Sequence, residues 1–230
     1  MGNLRTISHG SEPFANRIEA GRLLGNEILN LSGEDPVILG IPRGGVVIAR
    51  ELSLLLHAEL DIVLSRKLGA PGNPELAIGA LNEDGKLFLI QDVISQLGRY
   101  EEIKDYVEEQ KEKQLKEIRK RVVKYREVRP KVPLNGRTVI ITDDGVATGA
   151  TMQASLWAAR RESPAKLIAA IPVATSNAIR RIADISDEAI ALKVPPFFYA
   201  VGQFYSQFEQ TTDDEVIAIL RESIKGKEGK

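Results

Sequence analysis

Two adjacent carboxylates, Asp143 and Asp144, follow a run of apolar and β-branched residues, Thr138-Val139-Ile140-Ile141-Thr142. At the end of a buried strand such a pair is costly unless each carboxylate accepts hydrogen bonds or meets a cation, and the hydroxyls of a ribose diol are suitable donors. Gly145-Val146-Ala147 come next, and Thr148-Gly149-Ala150-Thr151 then opens an apolar helix with Ala154, Leu156, Trp157 and Ala158. Backbone N–H groups at such a helix start form an anion nest that the helix dipole reinforces. The two threonine hydroxyls add donors. Carboxylates for a sugar, with a phosphate cradle just downstream, describe a ribose 5-phosphate site. The plainer alternative is a turn whose Asp pair only caps the helix. No Gly-Lys-Ser/Thr ends the loop, and no G-x-G-x-x-G follows the first strand, so neither a P-loop nor a dinucleotide fingerprint is present.

Two further stretches carry chemistry for anions. Val37 to Ile41 runs into Pro42-Arg43-Gly44-Gly45. The glycines permit close backbone approach, and Arg43 offers a fork of donors that fits a diphosphate. Asp61 to Leu64 runs into Ser65-Arg66-Lys67-Leu68-Gly69-Ala70-Pro71-Gly72-Asn73-Pro74, a basic pair leading into a Gly/Pro-rich stretch that reads as a mobile loop. A surface Arg and a surface basic pair are the alternatives.

The elements that must hold these residues alternate along the chain. Val37 to Ile41, Asp61 to Leu64, Ala77 to Leu81, Leu87 to Ile90, Thr138 to Thr142, Leu167 to Val173 and Ile190 to Lys193 read as strands. Amphipathic helices are expected near Ala15 to Leu31, Val46 to His57, Gly149 to Ser163 and Thr175 to Ile185. This pattern predicts an α/β fold with a mainly parallel sheet flanked by helices, whose ligands bind at the carboxyl ends of strands. Arg99 to Arg126 breaks the rhythm as a long charged helix with an apolar stripe, Ile103, Val107, Leu115, Ile118, Val122 and Tyr125. It reads as a solvated helix lying on the domain or pairing with a second subunit; a nucleic-acid arm is the alternative. His57 reads as a helix cap or packing residue, His9 carries no role, and the tail Lys225 to Lys230 reads as frayed.

Composition narrows the chemistry. The 230 residues, 43% hydrophobic, suit one main domain, 1–230. With 31 Lys and Arg against 32 Asp and Glu the chain is near neutral, which disfavours a general nucleic-acid binder. The absence of cysteine excludes disulfides, thiolate catalysis and Cys-held metal, and two histidines leave little for a His-bound metal or a Ser-His relay. No apolar run approaches a membrane span and no signal peptide is apparent, so a cytoplasmic protein is expected.

The stretch Asp143 to Thr151 closely resembles the 5-phosphoribosyl 1-pyrophosphate (PRPP) loop of type I phosphoribosyltransferases. That resemblance implies that Asp143 and Asp144 hold the ribose 2- and 3-hydroxyls, and that Thr148, Gly149, Ala150 and Thr151 hold the 5-phosphate. Gly145, Val146 and Ala147 belong to the same PRPP-binding loop. It places pyrophosphate on Arg43, Gly44 and Gly45, in a loop that in the family often carries a non-proline cis peptide. It also implies a flexible loop that closes over PRPP and excludes water, with Arg66 and Lys67 as the basic side chains that join Asp143 and Asp144 in catalysis. Together the three stretches resemble a subgroup of the family without a settled substrate, with residues 99–126 as a helical insertion.

A hood is implied at residues 194–210, where Tyr199-Ala200-Val201-Gly202 resembles the hood of hypoxanthine-guanine enzymes. Aligned so, Tyr199 stacks on the base, with Ala200 and Val201 beside it. Those enzymes carry an Asp before the loop Thr and a Lys after the preceding strand; here Ala147 stands at the first place and Ile171 to Thr175 lacks the second. Ala147-Thr148-Gly149 instead resembles the adenine and uracil enzymes, so the base stays unnamed. The implied activity is nucleotide-salvage transfer of ribose 5-phosphate from PRPP to a base nitrogen, with Mg2+ held mainly through substrate and water rather than protein ligands. A PRPP- or nucleotide-sensing regulator and a phosphoribosyl hydrolase are the alternatives. PRPP and a small-molecule base are the expected partners, without nucleic acid or membrane, and a homodimer is expected from family habit.

Overall fold

The computed structural model of the chain describes residues 2–98 and 100–228; Arg99, where the long helix was expected to begin, and the tail residues Gly229 and Lys230 lie outside them. Six strands form the main sheet in the order β1 (Asn3–Ser8), β9 (Glu188–Lys193), β8 (Lys166–Val173), β7 (Thr138–Thr142), β2 (Val37–Gly40) and β3 (Glu59–Ile62), and every pairing is parallel. The central strands are buried on both faces, as their unbroken apolar runs require.

Strand alternation divides the core in two. Ile38, Ile140, Ile168 and Ile190 face helices α1 (Arg17–Glu27), α2 (Gly44–Leu56) and α7 (Asp213–Glu228). Val37, Leu39, Val139, Ile141 and Leu167 face α5 (Ala150–Arg160) and α6 (Ser176–Ile185). From β2 the chain proceeds to β3 on one side, and from β7 to β8 and β9 on the other. The boundary between β2 and β7 is therefore a topological switch point, where α/β sheets bind ligands.

A second, antiparallel sheet is inserted between β3 and β7: β4 (Ser65–Ala70), β5 (Asn73–Asn82) and β6 (Leu87–Leu89). The basic stretch expected as a loop is thus a β-hairpin, tightened by Gly72 at φ +70°. Ala77 to Leu81 and Leu87 to Ile90 belong to this sheet rather than the parallel one. The short helix α3 (Gln91–Leu97) and the long α4 (Tyr100–Arg126) complete the insert. Leu68, Ala70, Ile78, Ile94 and Val107 form its own small core.

Helix α4 lies on the domain. Val107, Ile118 and Tyr125 of its stripe are buried, Leu115 and Val122 pack against the main core, and the Tyr106 hydroxyl donates to Gly69 O at 3.0 Å. The other differences are local. The first predicted helix ends at Glu27 and becomes a 3-10 turn at Leu29–Leu31. β3 begins two residues earlier than expected. The tail is helical to Glu228. His57 ends α2 in the left-handed conformation, with its N–H bonded to Ser53 O, a capping role as expected. No helix among the described residues is long and apolar enough to cross a membrane.

Candidate functional site

The register of β2 against β7 builds the centre of the site. Gly40 lies opposite Thr142, and Ile41 N donates to Thr142 O at 3.0 Å. The Pro42–Gly45 loop and the Asp143–Asp144 loop therefore leave neighbouring strands at one level. The Pro42–Arg43 peptide bond is cis. A side chain on Gly44 would collide with the Asp144 carboxylate, and a Cβ on Gly45 would come within 2.8 Å of Asp143 Cα. Only glycine lets the two loops touch.

The acidic doublet is enclosed. Asp143 Oδ1 accepts the Asp144 N–H at 2.9 Å. Asp144 Oδ2 accepts from both Nε and Nη2 of Arg17, each at 2.8 Å. Arg17 is the first residue of α1, behind the N-cap Asn16. Burial pushes both carboxyls above the usual carboxylate range; the neighbouring Asp144 charge adds to the rise at Asp143, and Arg17 opposes it at Asp144. The Tyr205 hydroxyl donates to the Asp144 carbonyl, and burial pushes that phenol up as well.

The turn that follows points outward. Val146 N donates to Val173 O at 2.8 Å, and Thr175 Oγ1 donates to Ala147 O at 2.8 Å, pinning the loop to β8 and α6. Gly149, at φ +81°, caps α5 in the left-handed region. Thr148 and Thr151 are exposed beside Ala150 at the helix start, where amides and hydroxyls can receive an anion.

The basic residues fall in three places. Arg43 Nη1 is 3.8 Å from Asp213 Oδ1 at the start of α7. Asp213 also accepts from Tyr125 Oη at 2.7 Å and Lys124 Nζ at 3.1 Å, and these partners hold its carboxyl below the usual range. Arg66 and Lys67 are successive residues of β4, so they face opposite ways. Arg66 shares a face with buried Leu68, toward α4, where Glu117 feels its charge. Lys67 shares the other face with Ser65, whose hydroxyl meets Ser155 of α5 at 2.9 Å.

In the hood segment Tyr199 is 87% exposed and Phe197 70%. Gln203 Oε1 accepts from Tyr199 N at 2.8 Å and Ala200 N at 3.1 Å, holding that stretch in shape. Val201 packs over Gly145: a Cβ there would lie 2.5 Å from Val201 Cγ1. Between the start of α6 and the segment that follows β9 runs a cleft of about 540 Å³, lined by His9, Thr175, Asn177, Val194 and Phe198 among others.

The fold thus gathers Arg43, Gly44, Gly45, Asp143, Asp144 and Gly145 around the switch point, with Thr148 to Thr151 opening α5 and Val201 above Gly145. Arg66 and Lys67 stand on the insert rather than on a loop. Sequence reasoning missed Arg17 and Asp213. Arg17 is 127 positions from Asp144, and its local setting, a helix start, gave no hint of that partner. Asp213 had a signal: Thr212-Asp213-Asp214-Glu215 is a capping box, with Thr212 N donating to Glu215 Oε2 at 2.6 Å and Glu215 N to Thr212 Oγ1 at 3.2 Å.

The phosphoribosyl transferase domain model matches residues 14–209. Curated proteins from Mycobacterium tuberculosis strains CDC 1551 and H37Rv, whose names give phosphoribosyl transferase as an unproven assignment, are 44% identical over 207 residues, 90% of this chain and 46% of theirs. The chain spans about half the length of these curated relatives. The crystal structure of TT1426 from Thermus thermophilus is 45% identical, with a TM-score of 0.86 over 91% of this chain and 98% of that one. With a family match over the switch-point loops and a main sheet of six parallel strands, this chain belongs to the phosphoribosyl transferase domain family.

Proposed function

We propose that the chain transfers the 5-phosphoribosyl group from PRPP to a ring or amino nitrogen of a nucleobase or related acceptor. The bond from ribose C1 to pyrophosphate breaks, the leaving pyrophosphate keeps the electron pair, and a C–N bond forms as the acceptor nitrogen loses its proton. The observation that supports this most is the in-register exit of the Pro42–Gly45 and Asp143–Asp144 loops from neighbouring strands. It brings a glycine-bearing loop with Arg43 beside the carboxylate pair, which supports reading the two loops as parts of one site.

In this reading Asp143 and Asp144 orient the ribose hydroxyls and favour the positive charge that develops on the ring, as in glycoside chemistry. Arg43, Gly44 and Gly45 receive the pyrophosphate, with Arg66 and Lys67 supplying further charge. Gly145, Val146 and Ala147 shape the loop, and Thr148, Gly149, Ala150 and Thr151 hold the 5-phosphate. Tyr199, Ala200 and Val201 cover the acceptor, which enters from the cleft beside Thr175 and Asn177. Catalysis is positioning and electrostatics, with no protein nucleophile. Mg2+ suits this donor set as a substrate-borne ion. Two adjacent carboxylates, one already paired with Arg17, are too few to cage it, whereas diphosphate, diol and water oxygens would complete its shell. Bound there, the ion neutralises diphosphate charge.

The test is a panel of nucleobases with PRPP and Mg2+, read by pyrophosphate release. Base-dependent release is expected. Release without any base would mark a hydrolase, and tight PRPP retention without turnover a sensor; either would overturn the proposal.

A further inference from the structure

Arg17 occupies a singular place among the described residues. Its side chain is only 11% exposed. Nε and Nη2 both close on Asp144 Oδ2, while Nη1 donates to Glu209 O at 2.8 Å. The guanidinium lies 3.9 Å from the Phe208 ring centroid, and Phe208 stacks on Tyr205 at 5.1 Å. A Cβ on Gly44 would also sit 3.0 Å from Arg17 Nε. One side chain thus joins α1, the pyrophosphate-side loop, the acidic doublet and the end of the 194–210 segment.

We propose that Arg17 is a positioning residue of the donor site, acting through Asp144 to keep it ionised and aimed at the ribose hydroxyls. The inference rests on the reading of the site as a PRPP site. Both Arg17 contacts fall on Oδ2, and the Asp143 and Asp144 carboxyls also bond to each other. The groups facing Asp144 are Asp143 on its own loop, Arg17 from α1 and the Tyr205 hydroxyl from the hood side; on α7, Glu215 senses the Arg17 charge. Of these only Arg17 is a cation. Without it two enclosed carboxylates share one site, and like charges so close favour protonation of one of them. A protonated Asp144 has lost acceptor capacity for the diol.

The experiment measures PRPP binding by calorimetry with Mg2+ from pH 6 to 9, for wild type, Arg17→Met, Arg17→Lys and Phe208→Leu. The ligand's own titration is common to all four. Removing a neighbouring opposite charge moves a carboxyl by about one unit or more. Arg17→Met is therefore expected to lose affinity relative to wild type as pH falls, by up to about tenfold for each unit of that move, and to approach wild type within a few-fold at pH 9. Arg17→Lys restores the wild-type pH profile at somewhat lower affinity, because charge returns without the fork. Phe208→Leu keeps the charge but loosens its seat, and shifts the profile the same way by a smaller amount; it reads the same effect should Arg17→Met fail to fold. An affinity loss equal at every pH, or no shift in Phe208→Leu, would show a merely structural role and overturn the inference. Wild type that does not bind PRPP would instead overturn the proposed function, and this inference with it.

Discussion

Arg126 Nη1 lies 2.6 Å from Asp61 Oδ1, and Asp61 is 1% exposed. The same guanidinium donates through Nε and Nη2 to Glu83 at 2.7 and 2.8 Å. Asp61 also accepts from Ile62 N at 2.7 Å and Val132 N at 2.9 Å. One cation at the end of α4 thus ties the insert to the edge strand β3 of the main sheet. Truncating one member of such a pair leaves a buried charge without its partner, typically at about 3–5 kcal/mol. Arg126→Met is expected to lose stability on that scale in urea unfolding. A loss below about 1 kcal/mol would show that water already compensates Asp61.

Asp144→Asn keeps the volume at the doublet and removes the charge. A charge-assisted hydrogen bond is worth about 1.5–3 kcal/mol, so PRPP affinity is expected to fall roughly ten- to a hundred-fold. Unchanged affinity by calorimetry with Mg2+ would contradict the assignment of this carboxylate to the ribose.

The two basic residues of β4 should separate. Lys67 shares the face of β4 that looks to α5, and Arg66 faces α4. Lys67→Ala is expected to slow pyrophosphate release about tenfold or more, the scale of one lost charged contact, and Arg66→Ala less than about threefold. Equal losses would mean that the hairpin turns over when PRPP binds.

Asp143 carries a stability–function conflict. Burial raises its carboxyl from the ordinary value of 3.8, so the folded state holds a proton more tightly than the unfolded chain. This group's contribution to stability is then most favourable below about pH 4. It declines as pH rises through the raised value and stays lower above it. Asp143→Asn removes that cost. It is expected to raise the melting temperature at pH 7.5 by a few degrees, with the advantage vanishing toward pH 4, while PRPP affinity drops. Scanning calorimetry of both proteins across pH checks the sign; a variant less stable than wild type at pH 7.5 would refute it.

Tyr199 is exposed and makes no core, so Tyr199→Ala should leave stability within about 0.5 kcal/mol. Stacking on a base is worth about 1–3 kcal/mol. The acceptor KM is therefore expected to rise roughly five- to a hundred-fold with little change in the KM for PRPP. An unchanged acceptor KM would remove Tyr199 from the acceptor side.

What the sequence discloses follows from how locally each feature is encoded. β2, β7 and β8 are covered on both faces, so their apolar runs stand out, and the loops after them carry their chemistry within a few residues. β1, by contrast, is an edge strand of polar residues such as Asn3, Thr6 and Ser8, held by β9 alone, and shows no run. β4 is hidden by Arg66, Lys67 and Gly69, because half its face rests on an insert whose core is small. α7 is marked in the sequence by its capping box, Thr212 to Glu215. The Arg17–Asp144 and Tyr125–Asp213 pairs join residues 127 and 88 positions apart, and only tertiary packing reveals them.

The inserted sheet with its own small core has an evolutionary corollary. A unit fastened at β3 by Arg126 and resting on α5 through Ser65 and Ser155 can be lengthened, pruned or exchanged between homologues while the parallel scaffold beneath stays as it is. Because its first strand also carries Lys67, each such exchange would retune the grip on the leaving group without touching the sugar-holding loop. Diversity in this lineage is thus expected to accumulate in the attachment rather than in the platform.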